Sequence, residues 1–308
     1  MHHPPDQKES PESWSDDIGA QGIEALPKRI GRYSKAKKGA LDVADYMATI
    51  PRHKTMAAKV HGCGDYLVFR HYFTVDKVRL HGASLCRKHL LCPLCAIRRG
   101  ANSLKAYLDR FEVIKGNYRP FLVTLTVKDG PDLEERFKHL HDSQRELWMQ
   151  KHRCRVHSPL SGVVGAVWSY EVKRGSGSGD WHPHLHMIAL AEVQPNQDEL
   201  RTTWKGITGD SHVVDVRPID QDNPASGFIE VFKYAVKFSD QPPADTVHAF
   251  ETLAGRRLLG SAGCFRGVDV PEDLTDSPEG LEGLPYATLF YRYLLGAGYS
   301  LKRAGTCF

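Results

Sequence analysis

Residues 181–190 read Trp-His-Pro-His-Leu-His-Met-Ile-Ala-Leu, and the rest of the chain falls into place around this run. From Leu185 to Leu190 it is short and mostly apolar, which predicts a largely buried strand. Side chains two apart on a strand share a face, so His184 and His186 point the same way while Leu185 turns into the core. Two imidazoles placed like this can bind one divalent cation. With 16 histidines in 308 residues, chance alone supplies roughly one His-x-His triplet. His139-Leu140-His141 is such a case, because it lies in a helical pattern where residues two apart face nearly opposite sides.

A third ligand comes from the segment just upstream. Val163 to Lys173, V-V-G-A-V-W-S-Y-E-V-K, is a second strand-like run, and Gly175-Ser-Gly-Ser-Gly-Asp180 between the two reads as a hairpin loop. Folding the hairpin symmetrically about that loop sets Glu171 opposite His184. One carboxylate and two imidazoles, with coordination positions left over, make an open catalytic site rather than a closed structural one. His182 shares the parity of the pair, but Pro183 disturbs the strand beside it, so its place stays open.

Composition bounds the class. The chain is long and apolar enough for one large domain or two modest ones. No apolar run approaches the ~18 residues of a membrane span, and the start, M-H-H-P-P-D-Q-K-E-S, has no signal-peptide core. A cytoplasmic protein without a membrane partner is expected. A net charge of +4 with pI ≈ 8.6 permits an anionic partner without demanding one. Lys28, Arg29, Arg32, Lys35, Lys37 and Lys38 make a basic cluster, and residues 269–282 an acidic stretch.

Residues 1–39 are polar and rich in Pro and Ser, and read as a disordered arm. Residues 40–112 read as a helical, Cys-rich module. Cys63, Cys86, Cys92 and Cys95, the last three within C-R-K-H-L-L-C-P-L-C, have the spacing of a tetrahedral thiolate site, with structural zinc as the expected metal. His89 could replace one cysteine, because Cys86-x-x-His89-x-x-Cys92-x-x-Cys95 also has ligand spacing. Cys154, Cys264 and Cys307 read as ordinary thiols.

From Pro120 the elements alternate regularly. Phe121–Val127 is a strand, a helix follows Gly130-Pro131, the two hairpin strands come next, Asn196 to about Gly206 is helical, and His212–Val216 is a strand. The order β-α-β-β-α-β predicts an α+β fold: a ferredoxin-like antiparallel sheet with helices on one face, preceded by the small Cys-rich metal-binding module. The predicted core spans residues 113–240, and 241–308 is a C-terminal segment. Within the latter, Pro285–Leu301 reads as a helical closing segment or as a contact surface for a host helicase.

Phe228–Ser239, F-I-E-V-F-K-Y-A-V-K-F-S, separates at 100° per residue. Phe228, Val231, Phe232, Ala235 and Phe238 form an apolar face, while Glu230, Lys233, Tyr234 and Lys237 line the opposite stripe. A Tyr among charges rather than among Phe is a candidate nucleophile. Lys233 and Lys237 would favour its phenolate, and a metal-polarised phosphodiester would accept its attack.

Taken in order, F-L-V-T-L-T-V at 121–127, His184-Leu185-His186 and Lys233-Tyr234-x-x-Lys237 resemble the three motifs of HUH endonucleases. The likeness is to rolling-circle plasmid replication initiators with a single catalytic tyrosine. Cys63-Gly64, C-P-L-C at 92–95 and R-R-L-L-G-S-A-G-C-F-R-G at 256–267 resemble one large branch of those initiators. The resemblance implies Mg²⁺ or Mn²⁺ at His184 and His186 with Glu171 as third ligand. It implies that Tyr234 nicks one origin strand and keeps the 5′ phosphate, that Lys233 and Lys237 bind the DNA phosphate, and that Glu230 directs a water at termination. Single-stranded or hairpin origin DNA is the implied partner, a host helicase and DNA polymerase are further candidates, and a dimer is a candidate state. Two other readings remain at this point: a single-tyrosine HUH transposase, which keeps the same motif order, and a non-catalytic zinc-bearing DNA-binding protein.

Overall fold

The computed structural model describes residues 22–153, 158–233 and 241–307. In chain order, helices α1 (Leu26–Ala48) and α2 (Lys54–His61) precede a hairpin of strands β1 (Tyr66–Tyr72) and β2 (Lys77–Ala83), and helix α3 (Pro93–Ile114) follows. Then come β3 (Arg119–Thr126), α4 (Leu133–Arg153), β4 (Val163–Arg174), β5 (Trp181–Ala191), α5 (Gln197–Thr208) and β6 (Val214–Pro218). Helices α6 (Ala225–Phe232) and α7 (Pro243–Thr252), strand β7 (Leu259–Gly263) and a hairpin of β8 (Tyr286–Leu294) and β9 (Gly298–Cys307) complete the order. The fold is α+β with two antiparallel sheets. One compact unit holds the described residues up to Asn102 together with those from Pro271 onward, and the other is Ser103–Val270. Among the described residues no helix is long and apolar enough to cross a membrane.

The first unit departs from its sequence reading in two places. Helix α1 begins at Leu26, inside the stretch expected to be a disordered arm. Leu26, Ile30, Tyr33, Lys37, Leu41, Ala44 and Met47 fall on one helical stripe and are all buried. The apolar period is real, but Lys37 interrupts it and the surrounding composition is polar, so it does not stand out. The basic cluster is thereby partly internal: the Lys37 ammonium donates to Asp65 Oδ1 at 2.9 Å, and Arg29 is 3% exposed.

The second departure is at the C-terminus. Pro285–Leu301 is β-structure, with β8 paired to β1 and the sheet running β2-β1-β8-β9. The run Y-A-T-L-F-Y-R-Y-L is dense in β-favouring aromatics, and its partner strand lies some two hundred residues earlier. Residues 241–308 are therefore not one segment, because those up to Val270 belong to the other unit.

A buried carboxylate ties this unit together. Asp276, in the acidic stretch of residues 269–282, accepts from Arg29 Nη2 at 2.9 Å and Arg98 Nη2 at 2.5 Å, and from the Leu80 amide at 2.5 Å. Burial alone would raise its pKa, but the two guanidinium groups more than offset this and hold it below the usual carboxylate range. A depressed folded pKa contributes stability above the unfolded value of about 3.9, and that stability is lost as pH falls through the folded value. Asp276→Asn should leave two buried cations under-compensated and cost about 3–5 kcal/mol in denaturant unfolding at pH 7. The deficit should shrink toward pH 3, and a deficit that does not change with pH would refute the account.

The second unit carries a sheet of order β6-β3-β5-β4-β7. Its elements β3-α4-β4-β5-α5-β6 follow the predicted order, and β7 adds an edge. Tyr170 points to the α4 side, where its hydroxyl donates to Gln144 Oε1 at 3.0 Å. Its neighbours Ser169 and Glu171 therefore face the other way. On that other face lies α6, because the Ser169 hydroxyl donates to the Val231 carbonyl at 2.7 Å. The helices are thus not confined to one face. Phe228 and Phe232 of α6 stack on Phe111 and Tyr107 of α3 at 5.4 and 5.1 Å between ring centroids. At the β7 edge Gly260 lies flat on Trp168, where an added Cβ would stand 2.6 Å from the indole ring.

Candidate active site

Strand β5 lies between β3 and β4, and its register assembles two cross-strand rows on the α6 side of the sheet. Thr126, His184 and Glu171 form one row, and Thr124, His186 and Ser169 the next. Glu171 Oε2 lies 3.5 Å from Nε2 of His184 and 3.5 Å from Nε2 of His186. The two imidazoles are 4.8 Å apart and nearly perpendicular, at 88°. Glu171 is 2% exposed and His184 5%. Burial lowers the His184 pKa further than the neighbouring carboxylate raises it, so the ring is held neutral with a lone pair available.

The three residues form a group that could hold a metal ion. The buried Nε2 of His186 has no hydrogen-bond partner among the described residues, which is costly for a polar atom unless something else uses it. Its Nδ1 lies 3.1 Å from the Thr124 hydroxyl. With Nδ1–H donating there, Nε2 keeps its lone pair aimed at the carboxylate. The Thr124 hydroxyl thereby holds the His186 ring, a contact that the sequence analysis did not single out. The signal was present, because Thr124 and Thr126 alternate on the neighbouring strand just as the His pair does.

His182 is outside this group. Its Nδ1 meets Asp129 Oδ1 at 2.5 Å, and Asp129 also accepts from the Ser178 hydroxyl at 2.5 Å.

The candidate nucleophile helix is described only up to Lys233. Helix α6 starts at Ala225, three residues before the expected Phe228. Phe228, Val231 and Phe232 are fully buried, as the apolar face requires. Tyr234 and Lys237 lie outside the described residues. Lys233, expected on a polar stripe facing DNA, is 9% exposed, and its ammonium donates to Glu230 Oε1 at 2.5 Å. The Ser169 bond to Val231 ties the last turn of α6 to the face that carries Glu171 and the His pair.

The first unit holds a second candidate metal group: Cys63, Cys86, Cys92 and Cys95. The Sγ atoms of Cys63 lie 3.5 Å from those of Cys92 and Cys95, and Cys86 Sγ lies 3.6 Å from that of Cys95. These are far beyond a disulfide bond. They approach the edge of roughly 3.8 Å that a tetrahedron with ~2.3 Å metal–sulfur bonds would have. Local chemistry explains the convergence. Pro93 opens α3, which sets Cys92 just before the helix and Cys95 one turn in, on the same side. Cys63 and Cys86 are each followed by a left-handed residue, Gly64 at φ 70° and Arg87 at φ 58°. A Cβ at Gly64 would stand 2.5 Å from Leu94 Cδ2. Hydrogen bonds from the other three sulfurs favour the Cys86 thiolate, while the same crowding, with burial, pushes Cys92 and Cys95 up. His89 is not part of the group.

A family model described as "Replication protein" matches residues 77–283, two thirds of the chain. The chain belongs to the replication protein family. The matched span takes in three of the four cysteines, the Glu171 group and Tyr234, and it stops before β8. A Bacillus sp. relative named "Protein rep" is 26% identical over 303 residues, covering 85% of this chain and 89% of its own. No solved structure matches. Membership of the replication family agrees with the resemblance to rolling-circle plasmid initiators read from the ordered motifs.

Proposed function

We propose that the protein initiates rolling-circle plasmid replication by nicking one strand of origin DNA through Tyr234 and later rejoining it. One observation carries this reading: in a replication protein, a buried carboxylate oxygen faces the Nε2 atoms of two imidazoles on the sheet face against which α6 packs. We read β3-α4-β4-β5-α5-β6, with spatial order β6-β3-β5-β4, as a ferredoxin-like unit.

In the proposed reaction the Tyr234 oxygen attacks phosphorus, the phosphotyrosyl bond forms, and the P–O3′ bond breaks. The 3′ oxygen leaves, takes up a proton and becomes a primer end. Mg²⁺ or Mn²⁺ bound by Glu171, His184 and His186 would withdraw electron density from the phosphodiester. Lys237 would hold the phosphate. Lys233 has a different part, orienting Glu230, whose carboxylate would direct a water onto the phosphotyrosine when replication ends. The four cysteines would hold zinc as a closed structural site.

The test is to incubate the protein with a single-stranded origin oligonucleotide and Mn²⁺, digest it, and map the DNA-bearing peptide by mass spectrometry. The label should fall on Tyr234. A shifted oligonucleotide with no covalent product would reduce the protein to a metal-bearing DNA binder.

A further inference from the structure

The four strands β2-β1-β8-β9 contain six Lys or Arg and no Asp or Glu. Their inner face is closed by Leu67, Phe69 and Leu80, all fully buried. The alternate residues point outward. On that face Tyr66, Val68 and Arg70 of β1 stand opposite Arg292, Phe290 and Thr288 of β8, and Phe290 stands opposite Arg303 of β9.

Packing does not account for these side chains. Tyr66 keeps 39% of its surface, and Arg292 and Arg303 are exposed. The rings of Tyr66 and Phe290 lie 6.0 Å apart and 21° from parallel, forming a flat apolar strip. Arg70 Cζ stands 4.3 Å from the Tyr286 ring centroid, beside an open groove of about 710 Å³ whose lining includes Arg70, Tyr72, Leu281, Tyr286 and one carboxylate, Glu282. Arg70 and Arg79 are also directly opposite each other across β1 and β2, which adds to the positive charge of the sheet.

We infer that this face binds single-stranded DNA, with bases stacked on Tyr66, Phe290 and Tyr286 and phosphates drawn to Arg70, Arg292 and Arg303. One exposed ring, Tyr66, and two half-buried ones, Phe290 and Tyr286, interleaved with guanidinium groups on an open sheet, suit unpaired bases, each of which offers a π-face, whereas a duplex hides those faces in its stack. Phe290 lies four residue steps along β8 from Tyr286, about 13 Å at ~3.3 Å per step, room for a strand to cross the sheet. The site goes beyond the nicking reading. It uses neither Tyr234 nor the Glu171 group, and three of its four strands lie outside the family match.

The probe is a fluorescein-labelled (dT)20, read by anisotropy on the full chain without added divalent metal. Tyr66→Ala and Phe290→Ala should each raise its Kd about 5- to 100-fold and leave the Kd for a 20-bp duplex within about twofold. The double variant Arg292→Glu with Arg303→Glu, at exposed positions, should flatten the log–log salt dependence by about 1.4, near 0.7 per lost phosphate contact. It decides the matter if the alanine variants fail to fold. The readout requires no covalent product, so the binding result stands even if no nicking is ever seen. Unchanged (dT)20 binding in all the sheet variants would overturn the inference. So would an equal loss for the duplex, or a changed sedimentation coefficient, which would mark the face as a contact between two copies.

Discussion

Glu171→Gln is expected to slow formation of the covalent protein–DNA product by about 10³-fold, the equivalent of roughly 4 kcal/mol of lost electrostatic help to the reacting phosphate. The substitution keeps the shape of a side chain that is 2% exposed, so the sheet should survive it. What changes is the charge that faces both imidazoles at 3.5 Å. Without that charge only the two imidazole nitrogens remain as ligands, and Mn²⁺ affinity should fall with the rate. Tyr234→Phe should be more severe still, removing the product altogether while sparing metal binding. Quenched time courses on denaturing gels, paired with Mn²⁺ titration calorimetry, measure both. A Glu171→Gln rate within tenfold of wild type would remove the carboxylate from the metal site.

Cys95→Ser should have an equally large effect of a different kind, on folding rather than on chemistry. Structural zinc supplies an apparent ~10–16 kcal/mol in small zinc-dependent folds, against a whole-domain stability of ~5–15 kcal/mol. The four sulfurs join the end of α2, the end of β2 and the start of α3, so losing an ion held there would free all three. Without it, burial and crowding keep Cys92 and Cys95 as thiols, which offer no comparable cross-link. The variant should lack zinc by elemental analysis, and protease should cut it rapidly within residues 22–102. A zinc-free variant that melts within a few degrees of wild type would show the cluster to be dispensable.

The sheet that carries Glu171 and the His pair was legible in the sequence because its information is local. A Gly-Ser loop sets the hairpin register, and period-two alternation sets the faces, so the juxtaposition of Glu171, His184 and His186 follows from counting. The cysteine spacing was legible for the same reason. Helix α1 was hidden by composition, since Lys37 and Arg29 belong to its buried stripe and only tertiary partners, Asp65 and Asp276, make their burial tolerable. Strands β8 and β9 were hidden by distance. An aromatic run with no nearby partner reads equally well as a closing helix, and nothing near residue 290 announces that its mate is at residue 68. For Lys233, helical periodicity places the side chain on a stripe but does not say what it grips within the protein. Here that is Glu230.

Because the last hairpin completes a sheet begun near residue 66, the first unit cannot close until the ribosome has made almost the whole chain. At ~5–20 residues per second, β1 and β2 wait tens of seconds for β8, while every strand of the other sheet has already emerged. A product cut short near residue 270 would therefore carry every strand of that other sheet and only half of its companion, leaving β1 as a naked edge ready to pair with another chain.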